Sequence, residues 1–592
     1  MAPSATKQTV GPLDTLRFDA YGPPEITTVV AEHLRLLGAQ PSESTTRAGA
    51  AGLIELGGGD IAPLRAHTPW AGQETGIADE ATVQAATGIM AVHGRRDGAP
   101  RGLAADYVAT ATGVLTVQGL LAGLLAQARG GRAPADITTG ADRAGLLAVS
   151  QYLAAAGAEE GEAAELAPGG PPFTSAEGVL FELETLDAGA WAAFWRALDA
   201  PAEAIRASWR PFQFRYATAC APISPALHTT ARGHSLPRIL RAAAISGAEV
   251  CALRTLAERQ DEHDGAPPWT LDLLAPGSRK SAPGPSTGRP LEGLRVLEAG
   301  RRIQAPLTAH LLGLLGAEVI RIEPPGGDPL RGMPPACSGV SARWLALNRG
   351  KQAVEIDIKS DAERRRLREM AADADVFLHN WAPGKAAELG LEAADFAAVN
   401  SALVYAYTSG WAGRLPGAPM GTDFMVQART GFGEAVRPQG EPPAPSLMTL
   451  LDVLGGLLGT EAVLAGLLLR ERTGHGVRVD SSLLGAADTL TAPALGRAAR
   501  GEHPRRPPGF RRPLPTGDGW IAPSDRCADA AASYDLRDRS TADALSLLRS
   551  HALDATRVTA DLSDLHHDPR FAGSISRDAH GAPAVPDPWS FA

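Results

Sequence analysis

Residues 294–323 have the sequence LRVLEAGRRIQAPLTAHLLGLLGAEVIRIE, and this stretch decides the fold of the second half of the chain. A short apolar run at 294–298 is followed by a turn, and 306–315 has the composition of a helix. A second apolar run occupies 318–323. Two apolar strands separated by one helix are typical of a parallel βαβ unit.

The same alternation continues toward the C-terminus. Further strands are predicted at 352–358, 376–378 and 403–407, with a helix at 362–372. Ligands of parallel sheets bind at the carboxyl ends of the strands. We therefore expect the loops after Glu298, Glu323, Leu378 and Tyr407 to form the walls of a site.

An internal repeat relates the two halves of the chain. The segment Val83–Gly88 matches Val426–Gly431 at an offset of 343 residues, and the same offset aligns 121–125 with 464–468. Upstream, Trp70–Gly72 matches Trp411–Gly413 at an offset of 341. Further upstream, 36–39 matches 314–317 at an offset of 278, so the first copy lacks about 63 residues of the second. We call residues 1–274 copy one and residues 291–592 copy two.

Composition shifts divide the chain further, and a length of 592 residues predicts about four domains. We expect a degenerate large domain at 1–157, a small domain at 173–274 and a Pro/Gly/Ser-rich linker at 275–290. Copy two then supplies a complete large domain at 291–500 and a shortened small domain with a tail at 516–592.

Charge and composition exclude several classes of protein. With 44% hydrophobic and 21% charged residues the chain can build a core, and its net charge of -10 argues against a nucleic-acid partner. The four cysteines are far apart in sequence, which predicts neither disulfides nor a zinc site. The dyad His566-His567 is interpreted as part of a surface turn rather than as a metal site.

No apolar leader is visible at the N-terminus, and the most apolar window, 453–469, is too short for a membrane span and contains Glu461. We interpret that window as a buried helix. The sequence therefore predicts a soluble, cytoplasmic protein without a membrane partner.

Asp452 interrupts the apolar stretch 447–458. A carboxylate among apolar side chains costs several kcal/mol unless its charge is satisfied. One interpretation is an N-cap at the start of a helix. The other is a carboxylate nucleophile or base at the floor of a cleft.

Copy two resembles the class III CoA-transferases of the CaiB/BaiF family, which also contains acyl-CoA racemases. The resemblance extends over about residues 291–526 and rests on an ordered set of short motifs. These are Gly293–Glu298, Leu315–Pro324, Gly327–Pro329, Leu347–Lys351, Ile356–Lys359, Ala374–Gly384, Leu389–Leu391, Asp452 with Gly456 and Ala465, Arg472–Asp480 and Asp518–Trp520.

The resemblance implies an α/β fold with a large Rossmann-like parallel-sheet domain and a small α+β domain, here present twice as a fused pseudo-dimer. It also implies that Asp452 is the nucleophile that forms an aspartyl-CoA thioester, with Gln304 lining the pocket. An exposed aspartate has a pKa near 3.9, so we expect Asp452 to be ionised without a separate base. The expected substrates are an acyl-CoA and a small carboxylic acid, and no tightly bound cofactor is expected.

The racemases of the family place a histidine thirty residues before their aspartate, at the position that is Thr422 here. Threonine cannot relay a proton at neutral pH, which favours transfer over racemisation. The neighbouring Asp423 matches an acidic position of the family. Its role is left open between a structural hydrogen bond and chemistry.

The resemblance assigns CoA contacts to Lys359, Asn380, Trp381 and Leu389. Arg349 and Lys351 add positive charge suited to phosphates, the alternative being a solvated turn. Three frequent arginines of the family are replaced by Pro324, Ala382 and Glu388. The segment around Gln304 is one residue short, and a glycine-rich closing loop is not evident.

Copy one has Ala109 at the position of Asp452, and Asp106 precedes it by about one helical turn. We expect copy one to be inactive and to support a single active site in copy two, so that the intrachain pseudo-dimer could act as a monomer. An acyl-CoA racemase or isomerase and a non-catalytic acyl-CoA-binding protein stay as alternatives.

Overall fold

The computed structural model describes residues 11–42, 52–59, 61–72, 75–131, 134–162, 164–276 and 288–592. Most of the interpreted linker and residues 1–10 lie outside this range. The strands are Arg17–Tyr21, Gln40–Pro41, Gly52–Gly57, Leu64–Thr68, Asp136–Thr139, Phe173–Thr174, Leu180–Glu184, Glu249–Ala252, Trp269–Pro276, Arg295–Ala299, Glu318–Glu323, Ala336–Cys337, Val340–Ser341, Gln352–Glu355, Val376–His379, Val404–Ser409, His475–Ser482, Leu514–Thr516, Gly519–Pro523, Ala555–Arg557, Ser576–Arg577, Pro583–Ala584 and Trp589–Phe591.

Helices connect these strands and pack against the two large sheets. The α-helices are Pro24–Leu36, Glu80–Ala86, Ile89–Gly94, Tyr107–Ala128, Ala141–Ala148, Ser150–Ala156, Ala188–Ala197, Ala202–Thr218, Pro225–Arg232, Leu236–Ser246, Leu256–Glu262, Gln304–Leu314, Ala342–Asn348, Asp361–Ala371, Lys385–Leu389, Ala393–Ala397, Asp423–Arg429, Phe432–Ala435, Leu450–Thr473, Leu483–Ala499, Ala528–Ala531 and Thr541–Ser550. Short 3-10 helices occupy Arg95–Asp97, Pro329–Gly332, Leu562–His567 and Pro569–Phe571.

The large sheet of copy two has seven strands, of which six are parallel. In order of their appearance in copy two, the parallel strands lie as 3-2-1-4-5-6, which is the Rossmann-type order. The predicted strand 352–358 ends at Glu355, because Asp357 accepts the N–H of Lys359 at 3.0 Å and turns the chain. The order reverses between Arg295–Ala299 and Val376–His379, which places the loops after them side by side.

The large sheet of copy one has six strands and is mixed rather than mainly parallel. The strand Gly52–Gly57 pairs antiparallel with both of its neighbours, Arg17–Tyr21 and Leu64–Thr68. In the sequence of copy one, this strand takes the place of two complete strand–helix units of copy two. The missing 63 residues therefore change the sheet direction as well as its size.

Each copy donates an edge strand to the sheet of the other. The end of copy one, Trp269–Pro276, pairs antiparallel with His475–Ser482, and the end of copy two, Trp589–Phe591, pairs antiparallel with Asp136–Thr139. Both strands begin with a Pro-Trp dipeptide, and the Trp589 indole donates to the Leu115 carbonyl at 2.7 Å. This exchange makes the chain a pseudo-dimer with interlocked halves.

Reciprocal arginines mark the same pseudo-symmetry. Arg129 donates to the carbonyl oxygen of Glu292 at 2.8 Å, and its repeat partner Arg472 donates to that of Asp14 at 3.2 Å. Residues 292 and 14 are themselves related by the upstream offset of 278. Each copy thus donates an arginine to the equivalent carbonyl oxygen of the other copy, as the sequence repeat implies.

The helices Tyr107–Ala128 and Leu450–Thr473 pack together at the centre of the molecule. By length and apolar content both could span a membrane, but all of the most apolar window of the first and 94% of that of the second are buried in the protein. Glu461 is fully buried, and the ring of His33 from copy one lies 2.9 Å from its carboxylate. Burial alone would lower the pKa of His33, but the charge and hydrogen bond of Glu461 raise it above its usual value. The prediction of a buried helix is confirmed.

Copy one also has a small domain whose core is rich in aromatic residues. Its three-stranded sheet orders Phe173–Thr174, Leu180–Glu184 and Glu249–Ala252 side by side, and its helices bury Trp191, Phe194 and Trp195. The small three-stranded sheet of copy two consists of Leu514–Thr516, Gly519–Pro523 and Ala555–Arg557.

The His566-His567 dyad and the four cysteines were the candidates for metal or disulfide sites. His566 and His567 belong to a 3-10 helix, and the adjacent Asp568 forms ion pairs with Arg557 and Arg570. Within the described ranges no group of three or more His, Cys, Asp or Glu side chains is arranged to hold a metal ion. All four cysteines are buried free thiols.

Candidate active site

An open cavity of about 1240 Å³ lies at the carboxyl ends of the central strands of the seven-stranded sheet. The loops after Glu298, Leu378 and Tyr407 line it as expected, and the segment after Glu323 contributes Leu330. Copy one supplies part of the opposite wall, with residues Glu184, Thr185, Leu186, Gln213, Arg215, Tyr216 and Glu249. Both copies are therefore needed to enclose the cavity.

Asp452 is half-buried in the first turn of the helix Leu450–Thr473 and lines the cavity. The residue at the cap position is Thr449, which has a left-handed φ of 52°, so the N-cap interpretation of Asp452 is wrong. The carboxylate oxygens of Asp452 form no hydrogen bond or ion pair with any residue that the structure describes. The helix N-terminus favours a negative charge at this position and leaves the carboxylate available.

Asp423 fixes the backbone of this first turn. Its carboxylate is almost completely buried and accepts the N–H of Asp452 at 2.8 Å. The side-chain amide of Gln427 donates to Asp423 and also to the carbonyl oxygen of Ser446 at 2.9 Å. Asp423 therefore positions the backbone that carries Asp452.

The electrostatics of Asp452 differ from those of an exposed aspartate. Burial is the largest cause that raises its pKa well above 3.8, and the nearby charge of Asp423 raises it further, whereas Arg302 lowers it. Burial also raises the pKa of Asp423, to about 6. The pKa of Asp452 is therefore higher than that of the exposed aspartate with which we compared it. Two carboxyl groups in one low-dielectric site disfavour each other's ionisation.

Gln304 begins the helix Gln304–Leu314 and is 4% exposed. Its amide nitrogen is buried and has no hydrogen-bond partner among the residues that the structure describes. A Cβ atom added to Gly455 would lie 2.9 Å from this nitrogen, so the amide packs against the backbone one turn beyond Asp452. Close approach of the two helices requires glycine here. An unpaired N–H donor beside a carboxylate suits an oxyanion that forms during acyl transfer.

Copy one holds the loop that leads to Asp423. The Thr422 hydroxyl donates to Glu184 of copy one at 2.8 Å, and the backbone N–H of Met420 donates to Glu249. Glu184 also pairs with the buried Arg215 at 3.0 Å. The racemase position is thus occupied by a hydroxyl that donates to a carboxylate, and sequence reasoning missed this glutamate.

Two further arginines, Arg301 and Arg302, extend into the cavity from the loop after Arg295–Ala299. Asn380 clamps this loop: it accepts the backbone N–H of Arg301 at 2.8 Å and donates to its carbonyl oxygen at 2.9 Å. Sequence reasoning missed both arginines, although their place two or three residues before Gln304 at a strand end was a usable signal.

The model of CoA-transferase family III matches residues 68–269 and 291–582. The chain belongs to this family. The two matched ranges correspond to the two copies, so the family fold is present twice in one chain.

Several members of the family are similar in sequence. Succinyl-CoA:glutarate CoA-transferase from Mus musculus is 36% identical over 199 residues, which cover 33% of this chain and 46% of that protein. The beta subunit of succinyl-CoA--L-malate CoA-transferase from Chloroflexus aurantiacus is 32% identical over 308 residues, covering 47% and 74%. The chain thus spans less than half the length of the mouse protein.

A similar solved structure is that of a CaiB/BaiF family protein from Brucella suis. It has 26% sequence identity and a TM-score of 0.45, and the match covers 50% of this chain and 91% of that chain.

The predicted CoA contacts of this family member divide into two groups. Asn380 and Trp381 line the cavity, and Leu389 packs in the same apolar cluster as Trp381. Lys359 is exposed in the turn after Gln352–Glu355 and does not line the cavity. Glu388, which replaces a frequent arginine, pairs with Lys385 at 2.7 Å.

Arg349 and Lys351 do not face the cavity. The Lys351 ammonium is buried, pairs with Glu298 at 3.0 Å and donates to the carbonyl oxygen of Pro306 at 2.8 Å. Burial lowers its pKa to about 8. Arg349 donates to the carbonyl oxygen of Val585 at 3.4 Å. Both interpretations of these two residues, phosphate contacts and a solvated turn, are wrong. Their side chains instead connect elements within the fold.

The corresponding region of copy one lacks an available carboxylate. Ala109 stands at the position of Asp452, while Glu80 accepts the backbone N–H groups of Val108 and Ala109 at 2.9 and 2.7 Å. Asp106 is paired with Arg511 of copy two at 2.6 Å, so it cannot take the place of Asp452 without losing that ion pair.

Proposed function

We propose that this family III protein transfers CoA from an acyl-CoA to a carboxylic acid, with Asp452 as the nucleophile. The observation that carries the proposal is the free carboxylate of Asp452 in a cavity that also holds the unpaired amide of Gln304. Its relatives succinyl-CoA:glutarate CoA-transferase and succinyl-CoA--L-malate CoA-transferase support the same class of reaction.

The proposed reaction balances without an external energy source. The Asp452 carboxylate attacks the thioester carbonyl, which forms a mixed anhydride and releases the CoA thiolate. The thiolate then attacks the aspartyl carbonyl, so the first acid leaves and an aspartyl-CoA thioester remains. The second acid attacks the aspartyl carbonyl of this thioester, which releases the CoA thiolate and forms a second mixed anhydride. The thiolate then attacks the carbonyl of the second acid in this anhydride, which forms the new acyl-CoA and regenerates the Asp452 carboxylate.

The surrounding side chains have distinct parts in this proposal. Arg302 favours the ionised form of Asp452, which is the form that attacks. A carboxylate of raised pKa is more basic and hence more nucleophilic once it is ionised. The Gln304 amide donates to the oxyanion that develops at each attacked carbonyl. Asp423 holds the helix turn in position.

Borohydride trapping tests the proposal. The protein is incubated with a panel of acyl-CoAs, reduced with borohydride and digested, and the peptide containing residue 452 is examined by mass spectrometry. Reduction of Asp452 to its alcohol is expected, because borohydride reduces thioesters and anhydrides but not free carboxylates. Asp452→Asn is expected to abolish the product, whereas Asp106→Asn in copy one should retain it.

The two alternatives make different predictions for the same protein. A racemase would exchange the α-proton of an acyl-CoA with deuterated water, which transfer does not require. The racemase histidine is replaced by Thr422, whose hydroxyl donates to Glu184 and cannot itself relay a proton at neutral pH. A protein that binds CoA in calorimetry but is never modified at Asp452 would favour the non-catalytic alternative and overturn the proposal.

The proposal includes one active site per chain, in a fused pseudo-dimer that needs no second copy. We expect a monomeric mass in light scattering and one CoA bound per chain. Two CoA sites per chain together with the mass of two or more chains would contradict it.

A further inference from the structure

Some arginines that line the cavity form ion pairs within the protein, whereas Arg302 does not in the part of the chain that the structure describes. Arg414 pairs with Asp488 at 3.0 Å, and Arg478 pairs with Asp480 at 2.7 Å. By contrast, Arg302 forms no ion pair or hydrogen bond through its guanidinium in the part of the chain that the structure describes, and it is exposed to the cavity. The guanidinium of Arg302 is therefore available to bind a group of the substrate.

The position of Arg302 is fixed by both copies. Its backbone has a left-handed φ of 63°, a conformation that is costly for a side chain of this size and that is frequent at functional sites. Its guanidinium lies 5.6 Å from the ring centroid of Tyr216 in copy one. The Tyr216 hydroxyl is itself held, at 3.1 Å from the sulfur of Met333. The cation is thus preorganised where the copies meet.

Arg302 faces the reacting end of the substrate. It precedes Gln304 by two residues, and its charge acts directly on Asp452, whose pKa it lowers. When the thioester is at Asp452, the long pantetheine arm separates it from the phosphates of CoA. A guanidinium beside Asp452 therefore meets the acyl group or the free acid rather than the phosphates.

We propose that Arg302 binds a second carboxylate of the acid, so that the preferred substrates are dicarboxylic acids and their mono-CoA thioesters. The inference rests on the proposed function, because donor acyl group and acceptor acid then occupy this subsite in turn. A guanidinium binds a carboxylate through two parallel N–H···O bonds, which gives both affinity and orientation.

Two four-carbon thioesters that differ only at the far end test this inference. Succinyl-CoA carries a terminal carboxylate and butyryl-CoA a terminal methyl group. Their dissociation constants are measured by calorimetry in the Asp452→Asn background, which prevents turnover. Loss of a hydrogen bond to a charged group predicts that Arg302→Gln weakens succinyl-CoA binding about 10- to 100-fold and leaves butyryl-CoA binding unchanged.

The neighbouring residue supplies the matched control. Arg301→Gln removes a second cavity cation of the same loop and is expected to affect both thioesters equally. Equal losses with Arg302→Gln, or no loss, would overturn the inference and would instead assign Arg302 to the oxyanion or to no substrate contact. Absence of binding for both thioesters would overturn it as well.

Turnover separates this inference from the proposed function. With acetyl-CoA as donor and intact Asp452, the ratio of kcat/KM for succinate over butyrate should fall about 10- to 100-fold in Arg302→Gln. Selective thioester binding without any trapped Asp452 would support the dicarboxylate site and refute the transferase. CoA transfer without discrimination between the acids would support the transferase and refute the site.

Discussion

Gln304 should be a residue whose replacement improves the fold and damages the chemistry. Its buried amide nitrogen has no partner, and an unsatisfied buried donor costs about 1–3 kcal/mol. Gln304→Met keeps the size and flexibility of the side chain while removing that donor. We expect the free energy of unfolding to rise by about 1 kcal/mol, because part of the gain is lost to imperfect packing.

The same change should slow CoA transfer strongly. Loss of one preorganised oxyanion donor costs about 100- to 1000-fold in kcat, equivalent to about 2.7–4 kcal/mol. Stability is measured by denaturant unfolding followed by circular dichroism, and activity by the rate of acyl-CoA exchange. KM should change much less than kcat, because the donor acts on charge that develops in the transition state.

Gln84 is the matched control in copy one. It is as buried as Gln304, but its amide donates to Glu80 at 2.7 Å and its oxygen accepts the N–H of Leu103 at 2.8 Å. Gln84→Met should lower the free energy of unfolding by about 2–4 kcal/mol, since two buried groups lose a partner. Activity per folded molecule should be unchanged. Equal destabilisation by both variants would refute the reasoning, because Gln304 would then have a structural partner.

Three further predictions concern charged groups. Asp423→Asn removes a negative charge that raises the pKa of Asp452, so the rise of the acylation rate with pH should move to lower pH in single-turnover trapping; an unchanged or upward-shifted profile would contradict this. Glu184→Gln breaks the ion pair with Arg215, and the resulting misalignment should reduce kcat about 10- to 100-fold, with a native circular dichroism spectrum as the control. Arg511→Met removes a buried guanidinium that pairs with both Asp106 and Asp525, while Arg506 stays paired with Asp106 at 3.2 Å; it should lower the free energy of unfolding in urea by about 1.5–3 kcal/mol, and a loss below about 1 kcal/mol would show that these ion pairs are dispensable.

Patterns local in sequence predicted the first five parallel strands of copy two, the repeat and the helix that carries Asp452. Contacts between distant segments were not predictable in the same way. In sequence Lys351 looks like a surface cation, yet in the structure its ammonium is buried and paired with Glu298. No pattern within one segment signals such a pair. The raised pKa of Asp452 likewise depends on Asp423, which folding brings to it. The Pro-Trp dipeptides at 268–269 and 588–589 were a visible signal for the exchanged strands.

Comparison of the two copies shows that the structural role of Asp423 does not depend on the proposed chemistry of Asp452. Glu80 stands at the repeat position of Asp423 and accepts the equivalent backbone N–H of Ala109 at 2.7 Å, although no nucleophile is present there. The first N–H groups of a buried helix need acceptors whether or not the helix carries a catalytic side chain. Copy one has alanine at the position of Asp452 but keeps the acceptor, because the acceptor is needed for folding. In copy two the charge of the acceptor adds to burial in raising the pKa of the carboxyl group whose backbone it positions.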